Sequence, residues 1–167
     1  NLPTWFFAKD AKPDGNIRCG LSRVCCIAPG GGNKLILLHH DEDIKQAVML
    51  AVGFAWPGSS GAEDVSAAGE VLHEISLSGH WGHTHEDGIN TRRAVCSLVG
   101  NMSALNWRLL ASSNLKGAAD SFFFIYDQTF SAHPKDFCML TLAKMDRFRL
   151  INCDQLLGPL ETAIDDA

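Results

Sequence analysis

Glu70-Val71-Leu72-His73-Glu74-Ile75-Ser76-Leu77 is the stretch on which the fold turns. Val71, His73, Ile75 and Leu77 occupy one set of alternate positions, and Leu72, Glu74 and Ser76 occupy the other. A period of two places successive side chains on opposite faces of a strand, so a half-buried β-strand is predicted here. Ser78-Gly79 follows as a turn or bulge. His80 to His85 is then predicted as a second strand, closed by Glu86-Asp87-Gly88, whose Asp-Gly pair is a turn signal.

Working outward, Thr91 to Ser112 reads as a helix, with a break near Gly100-Asn101. Phe122 to Phe130 is an aromatic and apolar run that suits a buried strand. Phe137 to Leu142 and Phe148 to Ile151 are further strand candidates. Upstream, Lys34 to Leu38 reads as a short strand preceded by a loop at Pro29-Gly30-Gly31-Gly32. Asp41 to Phe54 reads as a helix: Asp41 can cap it, Glu42 and Asp43 suit its positive end, and Ile44, Val48 and Val52 share one face. The breakers Pro57-Gly58-Ser59-Ser60-Gly61 divide the chain into an N-terminal extension, residues 1–60, and a core, residues 67–167. The predicted class is α+β, an antiparallel sheet packed by helices.

The residues able to carry chemistry are a cysteine and a group of histidines. Cys153 follows Asn152, a good N-cap, and precedes Asp154, so it is predicted at a helix start. A helix N-terminus and a nearby imidazole both lower a thiol pKa from its free value of about 8.5, and the thiolate is the nucleophile. His80 is the candidate base, with His73, His83 or His85 orienting its second ring nitrogen. Such partners are joined by the fold rather than by sequence proximity. His83 and His85 alternate away from His80 on a strand, which argues against a three-histidine metal site. Trp81 and Trp107 read as packing residues. Lys144, Arg147 and Arg149 read as a solvated sheet face.

These residues resemble a family. Gly69 to Ile75, then His80-Trp81-Gly82, then Glu86-Asp87-Gly88, look like the H-box of the lecithin:retinol acyltransferase-like proteins. Arg149 to Leu157, centred on Asn152-Cys153, looks like the matching Asn-Cys box. The resemblance implies a permuted NlpC/papain-like fold with His80 as base and Cys153 as nucleophile. Gly82-His83-Thr84-His85 is polar where the family strand runs on apolar. Within the group, the picornavirus 2A-type H-box/NC proteins fit best, because the chain opens on Asn1, as excision from a polyprotein would leave it. That branch implies a non-proteolytic accessory protein of viral replication in the cytoplasm of an infected cell, with host proteins or viral RNA as partners. One alternative is a lipid acyltransferase or phospholipase that works through a Cys153 acyl-enzyme. The other is an RNA- or host-protein-binding module on a degenerate hydrolase fold.

Composition bounds these readings. The 167 residues are 46% apolar and 20% charged, which suits a folded domain rather than a disordered chain. A net charge of -5 excludes a global basic field for nucleic acid. No apolar run approaches the roughly 20 residues of a membrane span. The six cysteines are irregularly spaced and form no Cys-x-x-Cys pair, so neither disulfides nor a structural zinc is expected. No cofactor is expected.

Overall fold

The computed structural model describes residues 24–38, 41–59, 61–67, 70–82, 85–113, 120–130, 137–144, 147–151, 158–159 and 162–163. Two strands open it, β1 (Val24–Pro29) and β2 (Lys34–Leu38), paired antiparallel with Ile27 opposite Leu37. Their connection closes on hydrogen bonds from Gly30 N–H to Lys34 O (2.9 Å) and from Lys34 N–H to Gly31 O (3.1 Å). Gly31 and Gly32 lie at φ 104° and 50°, where a β-carbon is costly. The glycine run is therefore a tight turn.

Helix α1 (Glu42–Ala55) begins where the sequence predicts: the Asp41 carboxylate accepts from Asp43 N–H at 2.9 Å, and Glu42 and Asp43 occupy the first turn. Ile44, Ala47, Val48, Ala51, Val52 and Ala55 recur at three- and four-residue steps and are buried. Then follow β3 (Ala62–Ala67), β4 (Glu70–Ser76), α2 (His85–Ala104), β5 (Trp107–Ser113) and β6 (Ser121–Tyr126). A separate hairpin joins β7 (Met139–Lys144) to β8 (Arg147–Ile151).

The main sheet has six strands in the order β3-β4-β2-β1-β6-β5, with every pair antiparallel. The class is α+β. The division expected near residue 60 falls inside this sheet, because β2 pairs directly with β4 across it. One face carries the core. Cys25, Ile27, Leu37, Ile75, Phe122 and Phe124 pack there with the buried faces of both helices. The helices are tied to each other by Asn101 Nδ2–H, which donates to Ala47 O at 3.0 Å.

Three expectations are corrected. His80 to His85 is not a strand: residues 80–82 form a loop, and His85 opens α2. The main-chain groups of that loop are committed elsewhere than a ladder. Trp81 N–H donates to Gly32 O (3.0 Å), His80 N–H to the Asp87 carboxylate (3.4 Å) and Gly82 N–H to the Thr91 hydroxyl (3.3 Å). Glu86-Asp87-Gly88 does not turn the chain but lies in the first turn of α2, where acidic residues favour the positive helix end. The helix expected over 91–112 stops at Ala104, and residues 107–113 are β5. Asn106, at φ 64°, makes the break in a left-handed conformation that Asn tolerates better than most residues.

Candidate functional site

The predicted site residues fall in different places. His80 is exposed in the β4–α2 connection, where its main-chain N–H donates to Asp87. His73 is buried in β4, on the helix side of the sheet, with Nδ1 2.6 Å from Asp64 Oδ1 on β3. It clasps the edge strand to its neighbour. His85 opens α2. His83, Cys153 and the helix start expected at Asn152-Cys153 lie outside the described residues. Among the described residues, no three His, Cys, Asp or Glu side chains converge as a metal site would require.

The loop that carries His80 is anchored by aromatic packing. The rings of Trp56 and Trp81 are 5.7 Å apart, and those of Trp81 and Phe122 are 6.2 Å apart. Trp56 is only 4% exposed, and among the described residues its Nε1 has no hydrogen-bond partner. Trp81 thus joins the end of α1 to β6, the packing role the sequence suggests.

A second feature lies across the sheet from the helices. Ile27, Leu37, His73 and Phe122 mark the helix side, and they pair across β1, β2, β4 and β6. By alternation, the residues between them face the other way. Cys26 pairs with Leu38 and Phe123, Ala28 with Ile36, and Val24 with Ile125. Val65 and Leu72 extend this face onto β3 and β4. None of these residues belongs to the helix-side core. Leu38 (44%), Val65 (38%) and Leu110 (47%, at the β5 bulge) are exposed, and the others described here are half-buried or nearly so. An antiparallel sheet with one solvated face normally alternates apolar with polar side chains. Here the second face is apolar at its centre.

Charges occupy two opposite corners of that face. At one, Lys34 on β2 forms an ion pair with Glu74 on β4, and Glu63 of β3 pairs in register with Glu74. At the other, Arg108 of β5 pairs in register with Ile125, and its Nε lies 3.8 Å from Asp127 Oδ2. A cleft of about 310 Å³ opens there, lined by Arg108, Ile125, Tyr126, Asp127, Gln128 and Thr129. The Thr129 hydroxyl (2.6 Å) and N–H (3.0 Å), with the Arg108 guanidinium, hold the Asp127 carboxyl below the usual carboxylate range. It is therefore charged at neutral pH.

Sequence reading focused on the histidines and passed over this face. A signal for it was present: Leu35-Ile36-Leu37-Leu38 and Phe122-Phe123-Phe124-Ile125 are continuous apolar runs. A strand that reads apolar at every position is apolar on both faces.

Among the described residues, no helix is long and apolar enough to cross a membrane. No curated protein matches the chain. The crystal structure of a conserved kinetoplastid-specific protein from Trypanosoma cruzi is similar at 11% identity, over 63% of this chain and 96% of that one, with a TM-score of 0.40. A family model described only as a domain matches residues 23–125, a span that runs from the edge of β1 into β6 and includes both helices. The match takes in more than half of the chain, and the chain belongs to that domain family.

Proposed function

We propose that this chain is a protein-binding module whose working surface is the face of the six-stranded sheet opposite α1 and α2. The observation that carries the reading is the run of apolar side chains on that face, at Val24, Ile36, Leu38, Val65 and Ile125, of which Leu38 and Val65 are exposed. Removing water from each large apolar side chain there is worth on the order of 1 kcal/mol. A contiguous apolar surface of this kind is a mark of an interaction site. Nucleic acid is a poor fit. Among the described residues, the cations of this face, Lys34 and Arg108, each sit beside a carboxylate and form no unpaired basic stripe for phosphates.

Lysine substitution tests the reading. Ile36→Lys and Ile125→Lys are expected to leave the melting temperature within a few degrees of wild type and to reduce binding of a hydrophobic dye such as ANS. A cooperative loss of folding in both variants would mean that the face is internal to the fold, and the reading would fail.

A second reading keeps the H-box/Asn-Cys resemblance, with its permuted NlpC/papain-like fold and a Cys153 nucleophile, whether in a 2A-type accessory protein or a lipid acyltransferase. The exposure of His80 and the anchoring of its main chain by Asp87 favour it. Its test is alkylation of Cys153 against pH. A midpoint well below 8.5 that rises in His80→Ala would support an activated thiol, and a midpoint at or above about 8.5 in both proteins would refute it.

A further inference from the structure

The β7–β8 hairpin forms a sheet of its own, and among the described residues β8 lies against α2. Two cysteines meet where the hairpin begins. α2 turns Ala94, Leu98 and Met102 into the main core, whereas Cys96, on the same helix, is buried outside that cluster. Its thiol donates to the carbonyl oxygen of Phe137, at 3.4 Å, on the segment that leads into β7. Cys138 is the next residue and is exposed, and both cysteines are reduced.

Peptide geometry limits how far apart they are. The Phe137–Cys138 peptide is trans, so the α-carbon of Cys138 lies within about 6 Å of Cys96 Sγ. A cysteine side chain and one S–S bond of about 2 Å span most of that gap. Residues 137 and 138 precede the first ladder pair, Met139 with Ile151, so a small shift there breaks no pairing between β7 and β8. Cys25 and Cys26 make no comparable pair. They are neighbours on one strand, and alternation turns their side chains to opposite faces of the sheet.

We propose that Cys96 and Cys138 are a reversible thiol–disulfide pair, oxidised by a low-molecular-weight disulfide such as oxidised glutathione, and that their bond fastens the β7–β8 hairpin to α2. The inference does not rest on the binding-face reading. The exposed thiol reacts first. As a thiolate, Cys138 attacks one sulfur of the small disulfide, whose S–S bond breaks, and one half leaves and takes up a proton. Cys96 then gives up its hydrogen bond to Phe137, loses its proton to solvent and attacks the Cys138 sulfur, and the second half leaves as a thiol. Two electrons pass from the protein thiols to the small disulfide, which ends as two thiols. The order follows exposure: the accessible cysteine meets the oxidant, and its buried neighbour resolves the mixed disulfide. A covalent link across 41 positions of sequence then stands where a weak S–H donor now makes the contact.

The test is peptide mapping of the full chain by mass spectrometry, without reduction, after incubation with oxidised glutathione. The mapped disulfide should join Cys96 to Cys138, with a net loss of two hydrogen atoms, and should disappear on treatment with dithiothreitol. In Cys96→Ser, the mixed disulfide between Cys138 and glutathione should accumulate, because the resolving thiol is gone. Amide exchange along Met139–Lys144 should slow severalfold on oxidation and recover on reduction. A mixed disulfide at Cys138 as persistent in wild type as in Cys96→Ser would overturn the inference. A map that joins Cys138 to any other cysteine would overturn it as well. Unchanged exchange along β7 in the cross-linked protein would overturn the fastening of the hairpin. Should Cys96→Ser fail to fold, the wild-type map decides: a Cys96–Cys138 peptide supports the pair, and its absence overturns it.

Discussion

A β-carbon at Gly79 would sit 2.4 Å from both Cδ1 and Nε1 of Trp56, a ring that is buried and wedged against Trp81. Neither ring has a flexible tip that could yield. Gly79→Ala should therefore cost about 2 kcal/mol, within the range for overpacking a filled site. Gly30→Ala is the comparison, because its β-carbon would meet the Ile36 side chain, which can shift. Thermal denaturation of both variants should show the larger loss at Gly79, and equal losses would contradict the packing described. Thiols give a second test at this scale. Burial pushes the Cys26 thiol up to about 11 and raises Cys25 further in the same direction, with the neighbouring Cys26 adding to it. From about pH 9 to about 11 the folded state holds a Cys26 proton that the unfolded chain has released. The folded state binds more protons there, so stability falls as pH rises through that window. Denaturant midpoints at pH 8 and pH 10 should drop more in wild type than in Cys26→Ala. An identical drop in the two proteins would mean that Cys26 is not buried as described.

Among the elements, capping and clasping can be separated by mutation. Loss of the Asp41 cap in Asp41→Ala should cost about 1 kcal/mol, read from the denaturant midpoint, and Asp41→Asn should retain most of it. Asp64→Ala removes the carboxylate paired with His73, which is buried. Amide exchange should quicken along Ala62–Ala67 and change little in α1, because β3 is an edge strand paired with β4. Equal quickening in both elements would contradict a local clasp. These elements also show which parts of the fold were legible in the sequence. Lys34–Leu38, α1 and β4 announce themselves through β-propensity, a cap and a period of two. β1 did not, because Val24-Cys25-Cys26-Ile27-Ala28-Pro29 is short and ends in proline, and only pairing with β2 and β6 makes it a strand. β3 did not, because Ala62-Glu63-Asp64-Val65-Ser66-Ala67 is polar and gains its extended form from the β4 ladder. His80-Trp81-Gly82 misled, since the Gly32 carbonyl, Asp87 and Thr91 draw it into a loop.

For the whole molecule, the sequence foretold an α+β class and an antiparallel sheet, but not that the chain before residue 60 supplies the middle of that sheet. Strand order depends on contacts between distant residues, and those leave no local pattern. The chemistry-bearing residues drew attention to His80 and Cys153, and of that pair His80 alone lies among the described residues. The surface that dominates the described fold comes instead from ordinary apolar side chains on five or more strands, none of them conspicuous alone. Among the described residues, the helices cover one side of the sheet, and the other side presents an apolar centre. An association that covers the second side would complete the layering, since stable domains bury each apolar face against another layer.

The most direct measurement is hydroxyl-radical footprinting of Leu38 and Val65, exposed apolar residues of that face. These side chains should be oxidised, as the exposed Leu50 and Phe54 of α1 are. Complete protection of Leu38 and Val65, with Leu50 and Phe54 reactive, would contradict an accessible binding face.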